Sequence, residues 1–382
     1  MKKHIIFILL ASILINCRQN PNVNSLLLKA KTLMPMKMKL FYIFLLLVSS
    51  FSLFGQRENE LQINAQHLTS LKLSDFADKS DAIQLSKKPE TNQFIWVSAP
   101  YLYLAGINKI YQYHFPGKYI RAFDCGGFVL GIAGDEVKRE LYIPVSKDGK
   151  ISLNCYDYSG ILLREFSLKH NVCTCINFEN RIWMIQSFQQ NDTVYYKLSN
   201  VDNMNGEVND LGVFHKDYYW PGFSVTSAAV FSMVNGRLFF SVNTDSTLYQ
   251  VRGNRFEPYL RWRIEPGKRF LSDRDVLGGH MLIGPYLFVN YSRNDPGDPD
   301  GASGKTYLYI KTIKGTPEEY NVRYEGNVDG WSDGLVDDLY HTGYVSLSKL
   351  INKPDYLYFT SMRVDEQTKK SEYWIYLVRV KK

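Results

Sequence analysis

The sequence predicts an all-β protein, a six-bladed β-propeller of four-stranded antiparallel blades preceded by an N-terminal signal segment. The first observation is an internal repeat, since residues 109–123 match residues 152–166 at a constant offset of 43 residues. The matched pairs are Tyr113 and Tyr156, Gly117 and Gly160, and Phe123 and Phe166. The second observation is that each copy reads as strand, tight turn and strand, the pattern of a hairpin. A hairpin recurring roughly every 40–50 residues is typical of propeller blades.

The turn glycine recurs along the chain and sets the number of blades. After Gly160 it is found at Gly206, Gly253 and Gly315, at spacings of 46, 47 and 62 residues. The surplus in the last spacing is a polar loop at residues 294–304. The strand pattern predicts six blades, or five if the terminal units, which lack the glycine, are miscounted. We expect residues 82–85 to be a lone strand that closes the ring against the C-terminal strand 373–380.

The net charge of +7 belongs to the N-terminal leader. Residues 1–55 hold seven of the 45 basic residues and none of the 38 acidic ones, so the rest of the chain is balanced. The charge therefore gives no support to nucleic-acid binding, and we expect no nucleic-acid partner. We divide the chain into this leader, an N-terminal extension at 56–81 and a propeller at 82–382.

The leader contains two export signals in series. The first has a basic start, an apolar run at 5–15 and then Cys17, as in a lipoprotein signal. The second has a basic start at 36–39, an apolar run at 40–54 and a cleavage position before Gln56. Both runs are shorter than the ~20 residues of a membrane-spanning helix. We prefer translation from Met36 or Met38, with a protein lipidated on Cys17 as the alternative. Both predict export to the periplasm or the cell surface.

Several segments resemble a known group of proteins. Residues 110–123 (IYQYHFPGKYIRAF), 248–267 and 327–330, together with the opening pattern at 75–105, are similar to exported six-bladed propeller proteins of Bacteroidetes, of the NHL/TolB-like type. The resemblance implies a propeller preceded by a lone strand. It supplies no catalytic residues.

Four cysteines follow the leader, namely Cys125, Cys155, Cys173 and Cys175. The spacing of the last two predicts that both thiols lie on one face of a strand. It is too short for a typical zinc pair, and no second pair of ligands stands nearby. We favour buried free thiols, and disulfides remain the alternative for an exported protein.

Two loops supply candidate ligand-binding residues. In the first, Tyr218, Tyr219 and Trp220 precede Pro-Gly, and exposed aromatic rings there could stack on sugars or contact a partner. We favour the other interpretation of these rings, in which they fill the gap between blades. In the second loop, Trp331 lies among acidic residues, and the candidates for a ligand or cation are Asp329 and Asp333, with Asp337 and Asp338 nearby. For this loop we favour the simpler interpretation of a solvated loop without a ligand.

Weaker candidates for a metal lie in the polar loop 294–304. Asp295, Asp298 and Asp300 could wrap Ca²⁺ with oxygen ligands, although we favour an extended solvated turn without a metal. No other cofactor is expected. His280 follows two glycines, and we predict that it is a loop residue.

The sequence contains neither a GxSxG elbow nor a sialidase-type Asp box. We therefore expect a non-catalytic monomer that binds a protein or glycan ligand. The alternative is a glycan hydrolase or lyase that uses carboxylates facing the propeller channel. Two such carboxylates ~5–10 Å apart would favour the enzyme, whereas aromatic rings, Asn side chains and backbone groups would favour binding.

Overall fold

The structure is a computed structural model, and it describes the following residues of the 382-residue chain: 59–64, 68–90, 94–218, 229–265, 280–294, 304–313, 319–323, 325–326, 333–350, 352–364 and 370–382. Within these ranges the secondary structure consists of β-strands and one short helix, α1, at Leu73–Phe76. No helix in the described ranges is long and apolar enough to span a membrane.

Six antiparallel sheets form the blades of a propeller, as predicted. Blade 1 contains β3 (Phe94–Ser98), β4 (Tyr101–Ala105), β5 (Lys109–His114) and β6 (Lys118–Asp124). Blade 2 contains β7 (Phe128–Val129), β8 (Ala133–Asp135), β9 (Glu140–Lys147), β10 (Lys150–Asp157) and β11 (Leu162–Leu168). Blade 3 contains β12 (Asn171–Phe178), β13 (Arg181–Gln190), β14 (Thr193–Asp202) and β15 (Val208–Tyr218). In blade 2 the inner position is shared, because β7 and β8 both pair with β9.

The other three blades follow the same order, with the inner strand first. Blade 4 contains β16 (Ala229–Val234), β17 (Arg237–Val242), β18 (Thr247–Arg252) and β19 (Arg255–Glu265). Blade 5 contains β20 (His280–Ile283), β21 (Tyr286–Asn294), β22 (Gly304–Thr312) and β23 (Glu319–Arg323). Blade 6 contains β27 (Ser348–Lys349), β28 (Tyr356–Val364), β29 (Ser371–Val380) and β2 (Ala77–Leu85). A further small sheet of β24 (Glu325–Gly326), β25 (Asp333–Asp337) and β26 (Gly343–Val345) lies in sequence between blades 5 and 6.

The two ends of the described chain close the ring. β2 pairs antiparallel with β29, with Ile83 opposite Ile375, so an N-terminal strand completes a blade built otherwise from the C-terminus. This is the predicted closure, although the strand begins at Ala77, earlier than expected. β1 (Asn59–Asn64) adds a fifth strand to blade 4 by pairing in parallel with β19.

The core lies between the blades. Buried apolar residues form six clusters, and each cluster draws on two neighbouring blades. The run 238–240 in β17 illustrates why alternation disappears in these strands. Leu238 and Phe240 pack toward blade 3, whereas Phe239 packs toward blade 5. Because both faces of a blade are covered, both sets of side chains are apolar.

Packing between blades also explains the 43-residue repeat. Gly160 has φ +87°, and a Cβ atom there would lie 2.5 Å from a ring carbon of Phe123 on the outer strand of blade 1. Gly206 has φ +74°, and its Cβ would lie 2.3 Å from the ring of Phe166 on the outer strand of blade 2. Each glycine therefore accepts the phenylalanine of the preceding blade. Phe123 and Gly160 are thus the two halves of one contact between blades, and Phe166 and Gly206 are those of the next, whereas Gly117 lies against the main chain of Gln84 in β2.

The four described cysteines are free thiols, as favoured from the sequence, and all four are buried. The prediction that Cys173 and Cys175 share one face is wrong, because the register with β13 shifts between Val172 and Thr174. This bulge breaks the alternation, so that Cys173 packs toward blade 4 and Cys175 toward blade 2. Burial raises the pKa of the Cys173 thiol to about 12 and raises that of Cys175 as well. Both thiols are thus kept protonated and unreactive.

Candidate functional site in the central channel

A cavity of about 270 Å³ lies where the inner strands of several blades converge. Its lining residues come from blades 1, 3, 4, 5 and 6 and are Phe94, Ile95, Thr174, Ala229, Val230, Phe231, Asn243, His280, Met281, Asn290, Leu347, Ser348, Lys349 and Tyr358. Inner strands line the axis of a propeller, so this cavity is a part of the central channel.

The cavity is near one particular face of the ring. β3, β16, β20 and β27 contribute their first residues to it, and Asn243 directly follows β17. Because neighbouring strands are antiparallel, the connections that enter the inner strands lie on the same face as the turns between second and third strands. We call this the entry face.

Lys349 is the charged group of the cavity. Its Nζ donates hydrogen bonds to the main-chain carbonyls of Phe231 (3.2 Å) and Leu282 (3.1 Å), which belong to blades 4 and 5. The side chain is half-buried. Desolvation lowers the pKa of its amine from 10.5 to about 7. Near neutral pH this amine is therefore poised between its charged and neutral forms.

His280 is a second ionisable group of the cavity, and the prediction that it is a loop residue is wrong. It is the first residue of β20 and is fully buried, with its ring edge-on to Trp262 at a centroid distance of 5.5 Å. Among the described residues, neither ring nitrogen has a well-aligned hydrogen-bond partner. Burial lowers the pKa of His280 to about 4, and the main chain of Thr247 and the carboxylate of Asp245 oppose the shift only in part.

The remaining polar groups of the cavity are uncharged. Tyr358 pairs with Ser348 across β27 and β28, and burial raises the pKa of its hydroxyl to about 12. Asn243 and Asn290 add amide groups, and Phe94 and Phe231 supply apolar surface. No Asp or Glu occurs among the lining residues that the structure describes.

Most of the candidates from the sequence fall outside the described residues. These are Cys17, Tyr219, Trp220, Asp295, Asp298, Asp300, Asp329 and Trp331. Tyr218 is the last residue of β15, and Asp333 is the first residue of β25. All of these candidates stay predictions. The described ends of β15, at Tyr218, and of β21, at Asn294, both lie on the entry face.

Asp337 and Asp338, the other members of the predicted acidic group, are engaged in the fold. Asp337 accepts hydrogen bonds from the main-chain N–H groups of Leu339, Tyr340 and Thr342. Asp338 accepts from both the N–H and the hydroxyl of Ser74, which attaches α1 to the loop after β25. In the described part of the chain, no group of three or more His, Cys, Asp or Glu side chains could hold a metal ion.

A second polar cluster joins blades 3 and 4. His215 has its Nε2 3.2 Å from the Thr244 hydroxyl and its Nδ1 3.5 Å from the Asp245 carboxylate. The order hydroxyl, imidazole and carboxylate is also that of a hydrolytic triad. Here, however, the same Asp245 carboxylate accepts hydrogen bonds from the Tyr249 hydroxyl (2.8 Å) and from the N–H of Thr247 (3.0 Å). We therefore interpret the cluster as structural, because it stabilises the turn between β17 and β18.

The chain is similar to several solved structures. A solved structure from Bacteroides fragilis, described as an exported protein, is similar with a TM-score of 0.55 at 14% identity, over 85% of this chain and 99% of that one. The similarity supports the propeller fold. BamB from Moraxella catarrhalis has a TM-score of 0.45 at 13% identity, over 79% of this chain and 99% of that one. A Bacteroides thetaiotaomicron protein of unknown function has 0.46 at 9% identity, over 81% and 75%.

No family model matches the chain, and no curated protein matches its sequence. The NHL/TolB-like subtype therefore stays a prediction.

Proposed function

We propose that this protein is an exported, non-catalytic propeller that binds a small ligand in its central channel. The observation that carries the proposal is the composition of the cavity. Amide, hydroxyl and amine groups stand beside aromatic rings, and the described lining residues include no Asp or Glu. A few polar groups on a mostly apolar wall are typical of ligand sites.

Export is supported by the leader and by one comparison. Both signal-like segments in residues 1–55 predict passage across a membrane, and the similar Bacteroides fragilis protein is described as exported. We propose the periplasm or the cell surface as the location, with either a cleaved signal before Gln56 or a lipid on Cys17.

Filling the cavity tests the proposed site. Ser348 is exposed and lines the cavity, so Ser348→Trp would occupy part of its volume without replacing a core residue. Ser371, an exposed serine at the start of β29 in the same blade, lies outside the lining and provides the matched control Ser371→Trp. The mature chain from Gln56 onward is screened by thermal shift against mono- and oligosaccharides, amino acids and short peptides.

The proposal predicts that at least one compound raises the melting temperature of the wild type and of Ser371→Trp but not of Ser348→Trp. Circular dichroism of the two variants checks that both are folded. Compounds that stabilise all three proteins equally would place binding elsewhere, and the absence of any stabilising compound would count against a small-molecule site.

A further inference from the structure

We infer that the central channel takes a small carboxylate-bearing ligand whose carboxylate pairs with the Lys349 ammonium. The inference rests on the proposed function, because it names the chemical class of the ligand that would occupy the same cavity. It begins from a charge that the described residues leave uncompensated.

Lys349 has hydrogen-bond partners but no counter-ion among the described residues. Its two partners are the neutral main-chain carbonyls of Phe231 and Leu282, and none of the described acidic side chains forms an ion pair with it. An ammonium group has three N–H donors, so a third remains for a ligand. Burying a charge without a partner is costly, and a carboxylate arriving in the cavity would remove that cost.

The Nζ atom of Lys349 is held in a fixed position, as is expected of a group that recognises a specific ligand. The two carbonyls come from blades 4 and 5 while Lys349 itself is on blade 6, so three blades fix the Nζ atom in place. A hydrogen bond also links β16 to β20, because the Ser232 hydroxyl accepts from the Leu282 N–H at 3.1 Å. A preorganised donor loses little entropy on binding.

The rest of the cavity limits the ligand to a small molecule with an apolar side. About 270 Å³ accommodates a single ring or a short chain. Phe94, Phe231 and Tyr358 present rings, and the amides of Asn243 and Asn290 lie in the same lining. A hydroxylated acid such as a hexuronate, or an aryl-substituted short acid, would match these groups.

The pH dependence follows from the titratable groups that face the amine. The described lining has three such groups, His280 on β20, Lys349 on β27 and Tyr358 on β28, whereas β3, β12 and β16 contribute none. His280 is neutral above its pKa of about 4, and Tyr358 is neutral below its pKa of about 12. Between pH 5 and 9, Lys349 is therefore the group of the lining that changes charge, and carboxylate binding should weaken as the pH rises past 7.

Two pairs of probes that differ in the carboxylate test the inference by calorimetry. The first pair is galacturonate and galactose, and the second is 3-phenylpropionate and 3-phenylpropanol. We expect the acid of at least one pair to bind the wild type at about pH 6, at least about tenfold more tightly than its neutral partner, which is the size of one hydrogen bond to a charged group. The affinity for the acid should fall at least about tenfold in Lys349→Met at about pH 6. It should also fall at least about tenfold in the wild type when the pH is raised to about 9.

The outcomes separate this inference from the proposed function. Equal binding of the acid and its neutral partner, or unchanged binding in Lys349→Met, would overturn the role of the ammonium while leaving the channel as a binding site. Failure of both acids to bind at about 10 mM would also overturn it. Phosphate at the same concentration is a third arm, and phosphate binding tighter than that of both acids would replace the carboxylate class with an oxyanion of another kind. Lys349→Arg keeps the positive charge and serves as the control for Lys349→Met. If folded Lys349→Arg still binds the acid, the loss of binding in Lys349→Met is due to the lost charge and not to a change in structure.

Discussion

Replacing Gly160 by alanine should destabilise the protein through a contact between two blades. A non-glycine residue at φ +87° costs about 1–2 kcal/mol of stability, and a methyl group forced against a packed ring adds about 1–3 kcal/mol. The new Cβ would lie 2.5 Å from Phe123, whose ring also packs on Tyr156 at a centroid distance of 5.3 Å and so has little room to move. We therefore expect the free energy of unfolding to fall by about 2–5 kcal/mol.

The matched control is Gly253→Ala, in the corresponding hairpin of blade 4. Gly253 has φ +60°, and nothing lies within 4 Å of a Cβ placed there, so only the conformational cost of about 1–2 kcal/mol applies. Urea denaturation of both variants isolates the contact. A double-mutant cycle with Phe123→Ala should give a coupling energy of about 1–3 kcal/mol, because removing the ring removes the clash. Equal losses in the two glycine variants, or additivity within about 0.5 kcal/mol, would refute the contact as the origin of the repeat.

Three further predictions concern the two ionisable side chains Lys349 and His280 and the leader. An unfolded lysine keeps its proton up to its ordinary pKa near 10.5, whereas folded Lys349 releases its proton near pH 7. Between these pH values the free energy of unfolding of the wild type should therefore rise relative to that of Lys349→Met, by at most ~1.4 kcal/mol per pH unit in urea titrations. Parallel pH dependences of the two proteins would contradict this. The pKa of His280 is near 6.5 in the unfolded chain and about 4 in the folded protein, so the free energy of unfolding should fall by about 3 kcal/mol as the pH falls through that range. The variant His280→Phe should lack this loss. Identical acid unfolding of the wild type and the variant would contradict the prediction. N-terminal sequencing of the protein isolated from its host should begin at Gln56 if the second signal is cleaved, whereas a lipid-modified Cys17 at the N-terminus would establish the first signal instead.

Much of the fold could be predicted because a propeller repeats its local pattern. The turn glycines and alternating strands marked the hairpins of blades 1 and 2, and the closing strand followed from the need to complete a ring. β1 could not be predicted, since its parallel pairing with β19 joins residues about 200 positions apart without any local signal. The bulge near Cys173 was missed because one extra residue in a strand changes no composition, only the side to which each later side chain points.

The site was harder to predict, for a related reason. Lys349 belongs to a two-residue strand, too short to show a period, and its importance depends on carbonyl groups of two other blades. His280 stands after two glycines, which favoured a loop, yet the buried inner edge of blade 5 begins at that residue. The signals available in the sequence were aromatic and acidic loops. Two of these loops follow β15 and β21, whose described ends lie on the entry face, so they suggested a site there and gave no information about the channel.

The charge state of Lys349 tests the account most directly, because both the cavity and its ligand class depend on a desolvated amine. Trace acetylation of the folded protein across pH 5 to 11, quantified by mass spectrometry on the peptide that contains Lys349, reports the pKa of that amine alone. We expect a reactivity midpoint near pH 7 without ligand and a higher midpoint when a carboxylate ligand is bound. A midpoint near 10.5 without ligand would contradict it, since the amine would then be either solvated or already paired with an acid of the same chain.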